Sequence, residues 1–121
     1  MLTFSPDGKT LALGCWQAAG KWPPPPLTLW DTATGELRVR MEALAMVTYC
    51  LAFRPDSRVL ASGGGWDGSV CLWDTATGKQ LRRYPVGPPA GTIRDLAFTP
   101  DGRRLLTLNG NGTVSILRLT P

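Results

Sequence analysis

The apolar residues of this chain fall in short runs, and most runs end at a turn-forming pair. Three runs end in a Pro-Asp turn, at residues 2–8 (LTFSPDG), 51–57 (LAFRPDS) and 96–102 (LAFTPDG), offset by 49 and 45 residues. A second segment, LWDTATG, occurs at 29–35 and again 43 residues later at 72–78. A period of this length predicts a repeat architecture, in which one unit cannot bury its own apolar faces.

The second repeat gives the clearest strand pattern. It predicts short strands at 49–53, 59–62, 70–73 and 79–84, separated by turns. Pro55-Asp56-Ser57 suits a type I turn, and Asp67-Gly68 is a strong hairpin signal. The third strand is apolar on both faces and is therefore central, whereas the charged fourth strand suits an outer edge. Four antiparallel strands joined by short loops form one unit.

The strand count predicts two complete units and three quarters of a third. Repeat one (1–46, with a Pro-rich loop insertion at 18–26) and repeat two (47–91) each predict four strands. Repeat three (92–121) predicts strands at 93–98, 104–108 and 114–119 and lacks an outer strand. We therefore predict eleven strands in an all-β fold.

The repeated Trp-Asp pairs, the Phe-x-Pro-Asp turns and the Gly-Trp-Asp-Gly segment at 65–68 resemble WD40-repeat β-propellers. The resemblance implies antiparallel four-stranded blades, here about three, with Trp30-Asp31 and Trp73-Asp74 as structural motif residues. It also implies that Ser62, Asp67 and Trp73 share a structural hydrogen-bond network with a histidine. Leu44 and Pro89 stand roughly where that histidine would fall, so we expect an incomplete network.

Three blades are too few for a ring, because propellers close with four to eight. We expect an incomplete, open array unless further WD40 repeats or self-association complete the propeller, and we interpret the chain as part of a longer protein.

The residue types in the chain argue against a catalytic or metal-binding site. The chain has no histidine, and Cys15, Cys50 and Cys71 show neither a disulfide framework nor metal-ligand spacing. The aspartates of the Pro-Asp and Trp-Asp motifs fall in turns, where their side chains bond nearby backbone amides. We expect no catalytic residues, no metal site and no cofactor, and hence no enzyme.

Charge and hydropathy add little about partners. The net charge is +4, and residues 76–121 carry seven basic residues against Asp95 and Asp101, dispersed over several strands. This dispersion favours a solvated surface over a nucleic-acid site. Met1 runs into the first strand motif without a leader, and no apolar stretch is long enough to span a bilayer. We therefore expect a cytoplasmic protein without membrane contact. The DTATG style looks like bacterial members of the family.

The resemblance also indicates a face for partner binding. In such propellers, the hairpins between second and third strands and the loops leading into each first strand line one face of the disc. Trp16, Trp66, Tyr49 and Arg94 fall there and are candidate contacts for a protein or peptide of unknown identity. The alternative is that each tryptophan packs on a neighbouring blade. Residues 20–26 (GKWPPPP) resemble a ligand of proline-binding modules or simply stiffen the loop.

The sequence leaves two functions open. The first is a protein–protein interaction scaffold module without catalytic activity. The second is a non-functional or purely structural remnant of a truncated larger WD40-repeat protein. The genomic sequence upstream of Met1 distinguishes them, because it either continues the repeats in frame or does not.

Overall fold

The computed structural model describes residues 2–14, 27–41, 48–64, 68–86 and 93–119, without the side chains of residues 48 and 49. Within these ranges there are eleven β-strands. They are β1 (Leu2–Phe4), β2 (Thr10–Leu13), β3 (Thr28–Asp31), β4 (Leu37–Arg40), β5 (Thr48–Phe53), β6 (Val59–Gly64), β7 (Ser69–Asp74), β8 (Gln80–Pro85), β9 (Ile93–Phe98), β10 (Arg104–Asn109) and β11 (Val114–Arg118).

The strands form three antiparallel sheets, which we call blades 1 to 3. Blade 1 has the order β1-β2-β3-β4, blade 2 the order β5-β6-β7-β8, and blade 3 the order β9-β10-β11. The predicted all-β fold, with two four-stranded blades and an incomplete third, is confirmed. The parts of the chain that the structure describes contain no helix that could cross a membrane.

Each blade has two faces, and successive side chains along a strand point alternately to one face and to the other. We call the face turned to the preceding blade the backward face and the other the forward face. Leu60, Cys71 and Trp73 form the backward face of blade 2 and pack with Ala12 and Leu29 on the forward face of blade 1. Alternation places next-door residues of one strand on opposite faces, so each blade presents a different set of side chains to each neighbour.

The second interface follows the same rule. Val70 and Leu72 lie on the forward face of blade 2 and belong to one buried cluster with Leu96 and Leu105 on the backward face of blade 3. The described part of the core therefore lies between blades, as expected for repeats that cannot bury their own faces.

The Pro-Asp turns require a left-handed residue after the aspartate. Gly8 and Gly102 take this position in blades 1 and 3, with φ of 73° and 72°. Blade 2 has Ser57 there, at φ 63°. A side chain is unfavourable in this conformation, so the repeat geometry in blade 2 is held by its surroundings rather than by the residue itself.

The glycines that end the two DTATG segments provide a test of the packing between blades. Gly35 and Gly78 both have positive φ, at 74° and 77°, so alanine is strained at either position. A Cβ on Gly78 would overlap the Val39 side chain of blade 1, whereas one on Gly35 has no neighbour within 4 Å. We expect Gly78→Ala to lower the free energy of unfolding by about 1–3 kcal/mol more than Gly35→Ala. Urea unfolding of both variants measures the difference; equal losses would mean that blades 1 and 2 do not meet at Val39.

Candidate functional site

A buried hydrogen bond joins two of the residues that the resemblance places in a structural network. The Trp73 Nε1–H donates to Ser62 Oγ at 2.8 Å. The two residues come from neighbouring strands, β7 and β6, and Trp73 is only 2% exposed. A tryptophan N–H needs such a partner when it is buried. Asp67, the third member inferred for this network, lies outside the described residues.

Blade 1 replaces this arrangement with a different one. Leu13 occupies the register position that Ser62 has in blade 2, so its side chain offers no acceptor to Trp30. The Trp30 Nε1–H instead donates to Thr28 Oγ1 on the same strand, at 2.9 Å. Trp30 is only half-buried because it lies on the backward face of blade 1.

Blade 3 has a polar cluster that the sequence interpretation missed. Asn109, 2% exposed, accepts a hydrogen bond from Thr107 Oγ1 at 2.8 Å. Its Nδ2 donates to Thr113 Oγ1 and to Ser115 Oγ, both at 3.0 Å. Thr107 takes the place of Ser62, and Leu117 that of Trp73. The Asn109 amide thus ties β10 to β11, whereas blade 2 joins its second and third strands through Trp73.

The aspartates of the repeated motifs accept hydrogen bonds from backbone amides of their own turns. The Asp74 Oδ1 accepts the amides of Ala76 and Thr77 at 2.8 and 3.2 Å, and Asp31 makes the equivalent bonds in blade 1. In the Pro-Asp turn of blade 3, the hydrogen bond from the Thr99 hydroxyl lowers the pKa of Asp101 below its usual range, and the hydrogen bond from the Arg103 amide adds to this effect. These carboxylates are engaged by backbone amides, as in Asx turns.

The threonine after each Trp-Asp pair locks the two turns of a blade together. The Thr75 Oγ1–H donates to the Ser57 carbonyl at 2.9 Å, and the Thr32 Oγ1–H donates to the Gly8 carbonyl at 2.7 Å. Both bonds join the third strand's end to the first hairpin's turn. The repetition of this threonine was the available signal for its role.

Thr75 is buried, whereas Thr32 is exposed. We expect Thr75→Val to lower the free energy of unfolding by about 1–2 kcal/mol, because the Ser57 carbonyl then loses its hydroxyl donor. Thr32→Val should cost less, since water can replace the hydroxyl at an exposed turn. Urea titration of both variants tests this, and a neutral Thr75→Val would show that the hydroxyl does not hold the turns together.

Little of the predicted partner face is described. Arg94 lies exposed on β9. Trp16, Trp66 and the Pro-rich insertion at 18–26 lie outside the described residues, as do Leu44 and Pro89. Tyr49 falls within β5, but its side chain is not among those described.

Charged side chains line a groove at the opposite end of the blades. An open groove of about 780 Å³ between the turns of blades 2 and 3 is lined by Arg54, Arg103, Arg104 and Arg118, with Asp56 and Asp101. Arg54 pairs with Asp56 at 2.6 Å. The structure thus gathers at one groove three basic residues that are dispersed along the C-terminal third of the sequence.

Among the described residues, there is no cluster of three or more His, Cys, Asp or Glu side chains able to bind a metal ion. Burial raises the pKa of the Cys50 thiol to about 12, and the nearby Asp95 carboxylate makes a smaller contribution in the same direction. A thiol with so high a pKa is a poor nucleophile, and Cys50 acts as a small core residue.

Three curated proteins show the relationship by sequence. The chain is 33% identical over 81 residues to eukaryotic translation initiation factor 3 subunit I of Scheffersomyces stipitis, covering 67% of this chain and 22% of that protein. It is 31% identical over 100 residues to small ribosomal subunit protein RACK1y of Oryza sativa subsp. japonica, covering 81% and 26%. It is 32% identical over 111 residues to protein groucho of Drosophila melanogaster, covering 90% and 14%.

The chain therefore spans about a quarter or less of the length of these relatives. All three are eukaryotic, so they give no support to the bacterial character expected from the DTATG style.

The structural comparison agrees with this relationship. The crystal structure of the computationally designed Ika4 protein matches 98% of this chain and 64% of its own, with a TM-score of 0.77 at 23% identity. This likeness concerns the fold. The sequence model of the family described as WD domain, G-beta repeat matches residues 45–74 and 78–116, which include all four strands of blade 2 and most of blade 3. The chain belongs to the WD40 family of WD-domain, G-beta repeats.

Proposed function

We propose that this chain is a protein–protein interaction module without catalytic activity. The main support for this proposal is the match of the WD-repeat family to the second and third repeats. The inter-blade core makes a rigid frame for short loops, and rigid loops bind partners at low entropic cost. Relatives are named as subunits of an initiation factor and of the ribosome, which is consistent with a role in assemblies. By the same analogy, we place the protein in the cytoplasm.

The proposed binding face is the loop end at which the family resemblance puts Trp66 and Trp16 together with Tyr49 and Arg94. Arg94 lies on a strand that is paired with β10 and packed against blade 2, yet its side chain is exposed. A rigidly held arginine is a favourable anchor for a partner surface, because arginine is enriched at interface hot spots. The partner is a protein or peptide rather than a nucleic acid or a membrane.

Affinity capture with matched charge-reversal variants tests this function. The tagged chain and its Arg94→Glu and Arg82→Glu variants are used to capture proteins from a lysate of the source organism, with quantitative mass spectrometry as the readout. Arg82 is an exposed arginine on the outer strand β8 and is the control. We expect one or more proteins to be enriched by the wild type and by Arg82→Glu. Recovery with Arg94→Glu should fall roughly tenfold or more, as for loss of a hot-spot residue.

Two results would count against the proposal. One is a wild-type chain that enriches no protein above the background of untagged beads, as expected of a purely structural remnant. The other is equal recovery with both variants, which would place the contact away from the loop end.

A further inference from the structure

Apolar side chains remain uncovered on two sheet faces, one at each end of the three-blade array. The backward face of blade 1 exposes Leu2 by 61% and Phe4 by 59%. The forward face of blade 3 exposes Val114 by 58% and Ile116 by 63%, with Leu108 beside them. No described residue of the chain packs over them. Contiguous exposed apolar faces of this kind mark interaction surfaces.

The register shows that these faces are interfaces between blades. Ile116 occupies the position of Leu29 in blade 1 and of Leu72 in blade 2, which are buried against the following blade. Phe4 occupies the position of Phe53, which is buried against blade 1. The same positions are therefore covered wherever the chain supplies a neighbouring blade.

The two open faces are of opposite kinds. In both interfaces within the chain, a forward face packs on a backward face. The open face of blade 3 is a forward face, and that of blade 1 is a backward face. The three described blades therefore carry one open face of each kind. The two faces match each other head to tail, and pairing either face with a copy of itself would not reproduce the packing seen between blades.

We infer that a second copy of this chain covers both faces, with blade 1 of each chain packed on blade 3 of the other in a six-blade ring. Two copies of the three described blades make six, which lies within the range of four to eight blades with which propellers close. Two identical head-to-tail interfaces close the ring and leave neither face open. The inference deepens the proposed function, since it states how the interaction module is completed.

Replacing apolar residues of the open faces by glutamate tests whether the ring forms, with the molecular mass in solution as the readout. Wild-type protein is compared with Ile116→Glu on the forward face and Phe4→Glu on the backward face, by size-exclusion chromatography with light scattering. Leu81→Glu is the control, because Leu81 is 50% exposed but lies on the outer strand of blade 2. We expect the wild type and Leu81→Glu to have twice the 13.1 kDa mass of one chain. Ile116→Glu and Phe4→Glu should each have the mass of one chain. Circular dichroism verifies that all variants keep their β-sheet content.

Mixing the two monomeric variants tests the head-to-tail arrangement itself. In such a mixture, the intact forward face of Phe4→Glu can meet the intact backward face of Ile116→Glu. We therefore expect a two-chain species that neither variant forms alone. Its affinity should be lower than that of the wild type, because only one of the two interfaces is intact.

Three results would overturn the inference. A monomeric wild type would mean that other blades, for example further WD repeats, cover the faces. A dimer that survives one of the two substitutions would indicate a pairing of like faces. A series of masses that grows with concentration would indicate an open filament instead of a ring. All of these measure mass and do not involve Arg94, so the partner-binding proposal can fail or hold independently.

Discussion

Trp73→Ala is expected to lower the free energy of unfolding by about 3–5 kcal/mol, the range for large-to-small changes of buried aromatic residues. Trp73 is 2% exposed and packs in the cluster between blades 1 and 2. The substitution removes that packing and also leaves Ser62 Oγ, which is buried, without the indole donor. Chemical denaturation monitored by circular dichroism gives the value, from the shift in midpoint at a constant m-value.

Trp30→Ala is the matched control, since Trp30 has the equivalent register position in blade 1. Both variants are measured in the Phe4→Glu background, in which the ring is expected not to close. Trp30 then remains half-buried, and its loss should cost roughly 1 kcal/mol, since less apolar area leaves contact with the core. Equal losses for the two tryptophans would contradict the assignment of Trp73 to a covered face and Trp30 to an open one.

Asn109→Ala is expected to lower the free energy of unfolding by about 2–3 kcal/mol. The substitution removes three hydrogen bonds and leaves the fully buried Thr107 hydroxyl without its acceptor. An unsatisfied buried polar group costs about 1–3 kcal/mol. The two bonds from Asn109 Nδ2 hold the end of β10 to Thr113 and Ser115 at the start of β11. Their loss should therefore loosen the last strand of blade 3, which has no fourth strand beside it among the described residues.

Ser115→Ala and Asn109→Asp refine this prediction. Ser115→Ala removes one of the three bonds and should cost about 1 kcal/mol. Asn109→Asp keeps the shape but buries a carboxylate, so it should destabilise more at neutral pH than in acid, where the carboxylate is protonated. Denaturation of each variant, compared with the wild type at the same pH, measures both effects. A neutral Asn109→Ala would mean that the cluster adds nothing to the third blade.

The strand pattern was predictable because turns and apolar runs are local signals. The Pro-Asp turns and the DTATG segments fixed the phase of the strands. The structure has the eleven strands expected, and the seven of repeats two and three lie within about two residues of their predicted bounds. The Ser62–Trp73 contact followed from the resemblance and not from the pattern, because the partners are eleven residues apart on two strands.

The packing of the faces was less predictable. Alternation shows that Leu72 and Trp73 point to opposite sides of a sheet, but it does not show which side meets the preceding blade. That assignment needs the handedness of the array, which the buried clusters supply. Asn109 was missed because the second strand of repeat three was predicted to end at residue 108, which left Asn109 in the following turn, whereas the observed strand includes it. Its partners lie on the far side of that turn.

Blades of this chain stack forward face on backward face, and we infer that a second copy covers both open faces. Unfolding of the wild-type chain by urea over a hundredfold range of protein concentration tests this closure. If two chains close a ring, the folded state is stabilised by association, and the unfolding midpoint rises with concentration. The midpoint of Ile116→Glu should stay constant over the same range. A wild-type midpoint that is also independent of concentration would contradict closure of the ring by two chains.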